Sequence, residues 1–437
     1  MKYIQQLRDS AYPQGFSSLC GTTIVEKSAK PETPDIIKRQ FERIGNAPLY
    51  IFPRKILCLM GIIAALPIIL IVRLLRPFIL IRFGKLPNTR VGPFATCPEL
   101  YLCERDKGAH KPSVDFFCCH KEKNCNSQLK NMWERVLSIS DFVDSLVFAN
   151  KLLPGYEQHL IPMPNENDFG GLLMTSRPHL WFTKEEERLG RDMLEQQGIS
   201  LSKKFICLAA RDSAYLKATH FENDWSYHDY RDADINEYIP AAEELAKKGF
   251  IVFRMGAIVA KPLSIHHARI IDYATTFRND FLDIFLLSKC HFFFGAHSGM
   301  NSVPMIFRRP KAVTDVIPLH SVHTWMAEDL FIPKKLWLKK ERRFLALREM
   351  VESGDWRLGR AEQYEHHGLE VINNTSEEIS ALAVEMYERL NGTWETTDED
   401  KFLQQSFWKI FNKNQTHGNP VARIGAQFLR QNPWLLK

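Results

Sequence analysis

FICLAARDSAY, Phe205–Tyr215, opens on a short run, FICLAA (Phe205–Ala210), that is apolar throughout and then turns abruptly polar at Arg211. A run of that length without alternation suits a strand buried on both faces, as in a parallel sheet. The pattern recurs downstream. Ile235–Lys248 places Ile235, Tyr238, Ile239, Ala242, Leu245 and Ala246 at helical spacing, with Pro240 in the first turn and Gly249 at the C-terminal glycine position. FIVFR (Phe250–Arg254) predicts the next strand and Phe281–Lys289 a short helix. HFFFGA (His291–Ala296) predicts a strand, Asn301–Phe307 a helix and KAVTDVI (Lys311–Ile317) a further strand. Strands alternating with helices predict an α/β fold with a doubly wound parallel sheet. Beyond it, Thr375 and Glu378 form a capping box ahead of the stripe Ile379, Leu382, Ala383, Met386 and Leu390, which ends at Gly392.

The chain has 437 residues, too many for one ordinary core, and predicts two domains with appendages. Its 45% hydrophobic and 25% charged residues exclude a disordered or fibrous class. A net charge of +6 lacks the clustered basic footprint of a nucleic-acid binder and suits phosphate-bearing ligands or anionic membranes. Of nine cysteines, Cys97, Cys103, Cys118, Cys119 and Cys125 lie close together around His120, but without a C-x-x-C pair. They read as small apolar thiols. The spacing predicts a polar tail at 1–48, a membrane-associated apolar segment at 49–82 and a first domain at 83–197. A second domain follows at 198–395, and helices at 396–437 pack back on the body. Within the apolar segment, Ile56–Val72 is uncharged, and a helix of that length is about 25 Å long, short of the roughly 30 Å hydrocarbon core. Pro67 inside it and Arg73, Arg76 and Arg82 after it favour a helical hairpin dipping into one leaflet over a spanning anchor. A buried core helix is the plain alternative.

In an open parallel sheet, ligands bind beyond the carboxyl ends of the strands. The residues there are Arg211, Ser213 and Tyr215 after the first strand, and Arg254 and Gly256 after the second. Asp272 follows Ile270-Ile271, and Gly295, His297, Ser298 and Gly299 follow HFFFGA. Arginine forks and backbone N–H groups at glycine turns are what a diphosphate requires. The intervening stretch His220–Asn236 adds Trp225, Tyr227, His228, Asp229, Tyr230 and Arg231, a set suited to a sugar or base pocket. Asp232-Ala-Asp234 is formally a D-x-D metal motif, but it sits at a helix start and reads as a cap. No G-x-G-x-x-G, P-loop, H-E-x-x-H or G-x-S-x-G occurs, which disfavours dinucleotide, P-loop, metalloprotease and hydrolase chemistry.

ARDSAYL, YHDYRDADINEY, FRMG, IDYA, DIFLLSKCHFFFGAHSGM and IGAQFLRQNPWLL resemble a family of bacterial glycosyltransferases of capsule and surface-polysaccharide synthesis. The resemblance runs from about Arg90 to the C-terminus, and the chain is also distantly similar to the donor half of fucosyltransferase-like enzymes. It implies a GT-B architecture, two Rossmann-like domains facing across a cleft, acting without cofactor or catalytic metal. The 83–197 domain would take the acceptor and the 198–395 domain the nucleotide sugar. It implies transfer of a sugar from a nucleotide diphosphate sugar to a glycan or glycolipid acceptor at the cytoplasmic face of the inner membrane, with a peripheral or monotopic attachment. The strand-end arginine of those enzymes corresponds to Arg211, their serine turn to Ser298, and Arg90-Val-Gly92 resembles an Arg-x-Gly that opens the acceptor domain. A base is expected in the first domain, where Asp115, Glu99 and His110 are the candidates. A sugar-nucleotide epimerase of the same architecture and a non-catalytic scaffold of a polysaccharide assembly complex are the alternatives. A luminal, glycosylated enzyme is a third, since Asn373, Asn391 and Asn414 begin N-x-[ST] sequons.

Overall fold

The computed structural model describes residues 52–437 apart from 110–111, 122, 201–202, 220–223, 413–414 and 416–418, and for 52–59 the backbone alone. The polar tail at 1–48, His110 and the sequon at Asn414 therefore lie outside the described residues.

The first half is built on a small parallel sheet. Helix α1 (Phe52–Leu75) leads through a turn into β1 (Leu80–Lys85), and α2 (Val91–Asp106) carries the chain back to β2 (Ser113–Cys118). Helix α3 (Ser127–Glu134) then precedes β3 (Ser138–Ile139), and α4 (Phe142–Lys151) follows it. The strands run parallel in the order β1-β2-β3, and a parallel bridge from Phe83 to Leu160 extends the edge. Strand alternation decides the layers. Phe83 and Cys118 pack on α1 and α4 with Ala65, Ile69 and Val72, whereas Phe117 faces Phe94 and Tyr101 of α2.

Two expectations change here. Ile56–Val72 lies within one continuous helix that contains Pro67, so the chain does not reverse there as a hairpin would. The apolar sequel Leu80–Arg82 is the start of β1 and not an interfacial helix, because Ile81 and Phe83 have a core face to fill. Among the described residues no helix is long and apolar enough to cross a membrane.

Helices α5 (Leu172–Thr175) and α6 (Lys184–Glu195) lead to the second half. Its strands are β4 (Phe205–Ala209), β5 (Ile251–Arg254), β6 (Ile270–Ile271), β7 (Phe293–Ala296), β8 (Lys311–Val316) and β9 (Leu330–Pro333). Between them lie α7 (Ala214–Thr219), α8 (Ile239–Lys247), α9 (Tyr273–Thr276), α10 (Asp280–Lys289) and α11 (Ser302–Ile306). A small antiparallel sheet follows, β10 (Lys335–Leu338), β11 (Arg343–Phe344) and β12 (Leu369–Ile372), with α12 (Leu347–Ser353) and α13 (Ala361–His366) between β11 and β12. Helices α14 (Ser376–Leu390) and α15 (Asp398–Lys409) come next, then β13 (Arg423–Ile424) and α16 (Ala426–Gln431). The large sheet has the order β6-β5-β4-β7-β8-β9-β13 with all neighbours parallel. Its oldest strand in chain order, β4, is central. The chain winds outward to β6, then crosses back to β7 and winds the other way, which makes β4/β7 the switch point of a doubly wound sheet. Both faces of β4 are covered: Ile206 and Leu208 enter one core, Phe205, Cys207 and Ala209 the other. That is why FICLAA shows no alternation. β13 pairs with β9, so the end of the chain completes the sheet.

Candidate anion-binding cleft

The switch point opens a crevice at the carboxyl ends of β4 and β7. Arg211 stands two residues beyond β4, and its carbonyl accepts from Ala233 N–H at 2.9 Å, which draws the 224–234 loop across the strand ends. Its guanidinium bonds the Asp232 carboxylate and donates to the His228 carbonyl at 3.3 Å. Lys334, just after β9, reaches the same loop and donates to the carbonyls of Tyr230 (2.9 Å) and Asp232 (2.7 Å). Burial pulls the Lys334 ammonium down to about 8 against the opposing pull of Asp315.

Arg231 differs from these. It makes no hydrogen bond or ion pair among the described residues, and its Nε is buried without a partner. Burial and then the neighbouring Arg211 bring it down to about 10, so it stays a cation at neutral pH. Two histidines line the same space, and both are neutral. Burial and then Arg231 hold His228 at about 3, and the same two causes hold His297 at about 3. The His297 backbone N–H donates to Thr314 O at 2.9 Å, fixing the β7 end against β8. The His228 ring lies 4.0 Å from that of Tyr227 and parallel to that of Trp225, over which Arg90 sits at 5.0 Å.

Arg90 belongs to the first half, and here the halves touch. A Cβ on Gly92 would stand 3.0 Å from Gly299 Cα, and one on Gly299 would stand 3.2 Å from Gly92 N. Glycine on each side permits backbone-to-backbone contact between the start of α2 and the turn after β7. Glu166 Oε2 lies 3.0 Å from the same Gly92 position. Its carboxylate makes no hydrogen bond or ion pair among the described residues. Burial raises it above the ordinary carboxylate range, against the pull of Arg231 and Arg90.

The structure thus brings Arg211, His228, Arg231 and His297 together and sets Ser298 and Gly299 at the edge facing Gly92. The Ser298 N–H is already engaged by Asn301 Oδ1 at 3.0 Å. Gly295 is a packing residue: at φ 152° its missing Cβ lets β7 approach β4, where a side chain would meet Ala209 O at 2.0 Å. Other strand-end residues stand elsewhere. Arg254 is 2% exposed, with its guanidinium on Asp272 (3.1 Å) and the Lys261 carbonyl (3.0 Å). Asp272 also receives Leu263 N–H and Thr275 Oγ1, so the pair fastens the 256–272 segment, with Gly256 at its start. Tyr215 lies toward Cys125 and Arg278, and Ser213 begins α7. Asp234 accepts from Asn236 N–H, as a cap does.

Of the base candidates, Asp115 is held by Arg82 through two bonds (2.9 and 2.6 Å) and by Tyr101, beside a cavity of about 280 Å³ lined also by Arg105 and Ser138. Glu99 is fully buried against Arg308 at 2.7 Å and His179 at 3.2 Å. With Cys103, Glu99 and His179 form a trio of metal-ligand type, but the Arg308 guanidinium already supplies its positive charge. Glu166 and Lys334 escaped the sequence reading. Glu166 sits in a polar loop with no periodicity, and Lys334 follows a strand, LFIP, too short to stand out.

No protein-family model matches this chain, and no curated protein matches it. Among solved structures it is similar to ADP-heptose LPS heptosyltransferase II of E. coli, at 12% identity over 53% of this chain and 84% of that one, with a TM-score of 0.32. It is also similar to a glycosyl transferase of family 9 from Veillonella parvula, at 9% identity over 71% of this chain and 97% of that one, with a TM-score of 0.41.

Proposed function

We propose that this chain is a glycosyltransferase that takes a nucleotide diphosphate sugar in the cleft between its halves and transfers the sugar to a hydroxyl of a surface glycan, lipid-linked and reached at the cytoplasmic membrane face. The observation that carries the reading is the set Arg90, Arg211, Arg231 and Lys334 around the β4/β7 switch point, with the Arg231 side chain in no ion pair among the described residues and Glu166 acting on it only at longer range. A diphosphate supplies the negative charge that Asp232 and Glu166 alone do not. Aromatic rings of Trp225, Tyr227 and Tyr230 flank it, suited to a base or sugar face.

In this reading the acceptor oxygen attacks the anomeric carbon, the bond from that carbon to the diphosphate oxygen breaks, and the diphosphate leaves with the electron pair. Arg211 and Arg231 stabilise the charge that develops there. Glu166, the unpaired carboxylate where the halves meet, takes the proton of the acceptor hydroxyl. His228 and His297 are neutral and leave the positive field to the arginines. The protein requires no metal in this scheme, because guanidinium groups occupy the place of a cation.

A melting-temperature screen against GDP-, UDP-, CMP- and dTDP-sugars tests the reading. One nucleotide class raises the melting temperature of the wild type, and Arg231→Ala abolishes the rise. The absence of a shift with all four classes would overturn it. Hydrolysis or epimerisation without an acceptor would move the assignment to a sugar-nucleotide epimerase.

A further inference from the structure

The cleft leaves α1 unexplained. Its inner face is closed: Ala65, Ile69 and Val72 are buried against Phe83, Cys118 and α4. The opposite face is apolar and bare. Met60 and Ile63 are each 60% exposed, Leu70 and Ile71 about as much, and Leu74 76%. These recur at three- and four-residue steps, so they form one stripe along the helix. The turn that follows continues it with Phe78, at 88% the most exposed large apolar side chain among the described residues, and Ile79. An apolar stripe so long is unusual on a water-facing surface and marks an interaction site.

The charges around the stripe choose its partner. No acidic residue occurs between Glu42 and Glu99, while Arg73 and Arg76 stand at the end of the stripe. Arg73 turns its guanidinium onto the carbonyl oxygens of Asn150 and Leu153 and the Asn150 side chain, which ties the end of α1 to the end of α4. Arg76 is exposed beside Phe78 and has no partner among the described residues. Lys151, next to the Asn150 that Arg73 holds, is also exposed. A second copy meeting this face would bring arginine to arginine with no carboxylate of the segment to answer. An anionic lipid surface answers both features, accepting apolar side chains below the headgroups and arginines among the phosphates.

We propose that the outer face of α1 and the Arg76–Ile79 turn form a docking surface for an anionic lipid bilayer, lying in its interface and not crossing it. α1 then rests flat, and β1 rises directly from the membrane into the first half. The inference uses no residue of the cleft and stands or falls apart from the sugar-transfer reading.

The test is co-sedimentation of the full chain with vesicles of phosphatidylcholine alone and of phosphatidylcholine with phosphatidylglycerol. The wild type pellets with the anionic vesicles. Leu74→Glu/Phe78→Glu reduces binding at least tenfold, and because both side chains point outward the melting temperature and any nucleotide response remain those of the wild type. Arg76→Gln reduces binding to anionic vesicles about fivefold, the size of one interfacial charge, and leaves neutral vesicles unaffected. Wild-type protein that stays in the supernatant with both vesicle types overturns the proposal. So does a wild-type dimer in lipid-free solution that the double variant converts to monomer, since the stripe would then be a contact between copies.

Discussion

Arg231 and Arg254 illustrate how surroundings divide two arginines that look alike in sequence. Each follows an apolar run or its loop, but Arg254 has Asp272 at 3.1 Å, whereas Arg231 makes no ion pair among the described residues and feels Glu166 only at longer range. Removing the guanidinium of Arg254 leaves the largely buried Asp272 carboxylate without its cation, held only by Leu263 N–H and Thr275 Oγ1, so Arg254→Ala costs about 3 kcal/mol in a urea titration. Arg231→Ala costs the free protein less than Arg254→Ala, because repulsion from Arg211 and Arg90 offsets the longer-range attraction of Glu166. Its effect is on the ligand: calorimetry shows donor binding weakened by about 1.5–3 kcal/mol, the worth of a hydrogen bond to a charged group. Glu166 carries a different prediction. Glu166→Gln lowers kcat by about 10²–10⁴-fold with donor affinity retained. Burial raises the Glu166 carboxyl, and only the deprotonated form accepts a proton, so kcat/KM of the wild type falls as pH drops through a value above the ordinary carboxylate range. The Gln variant lacks that limb. Arg211 and His297 were legible because strand ends are legible. Glu166 was not, since nothing in MPNENDFGG separates a cleft carboxylate from a solvated one.

The elements read most clearly were those buried on both faces. β4, β7 and β8 fall within a residue or two of FICLAA, HFFFGA and KAVTDVI, and Thr375 caps α14 through Glu378 as its sequence spacing requires. Helix Ile235–Lys248 begins as a 3₁₀ turn through Tyr238 before continuing as α8, because Asp234 caps the tighter turn. β1 was misread because LIR beside an apolar helix looks like more membrane segment, and only pairing with β2 gives it a second face. β13 has two residues, below any pattern that a sequence shows. The sheet also hides a constraint at Gly295. Gly295→Ala drives a Cβ to 2.0 Å from the Ala209 carbonyl at φ 152°, and the strands at the switch point separate. Soluble yield and cooperative unfolding are both lost. Gly354→Ala is the control: φ is 85° but the space is open, so it costs only the left-handed penalty of about 1–2 kcal/mol in the same urea assay.

At the scale of the molecule, α2 meets the second half at two places, its start and its middle. The start of α2 meets the turn after β7 through Gly92 and Gly299, beside the cleft. Further along, Glu99 receives Arg308, which leaves α11 in the left-handed region at φ 57° to reach it and also donates to the Arg177 carbonyl. That backbone is costly for arginine, so the contact it secures outweighs the strain. His179 closes the arrangement from the connecting segment, with Nδ1 3.2 Å from Glu99 and Nε2 2.9 Å from Asp106. Burial alone would pull its imidazole down, but the neighbouring Cys103 and Glu99 side chains and then Asp106 prevail and raise it to about 10. The folded value lies above the unfolded 6.5, so its contribution is complete below pH 6.5 and is lost as pH rises toward 10. The wild type therefore loses stability across that alkaline window, and His179→Gln, already without the charge, has a flatter profile. Arg308→Ala leaves Glu99 buried with His179 as its remaining cation and costs about 3–5 kcal/mol, more at pH 11, where His179 has lost its charge, than at pH 6. Equal losses at the two pH values would mean that histidine does not share the load. If the same variant also weakens donor binding, although Arg308 is remote from Arg231, then the closed contact of the halves is what holds Arg90 and Glu166 over the phosphate site.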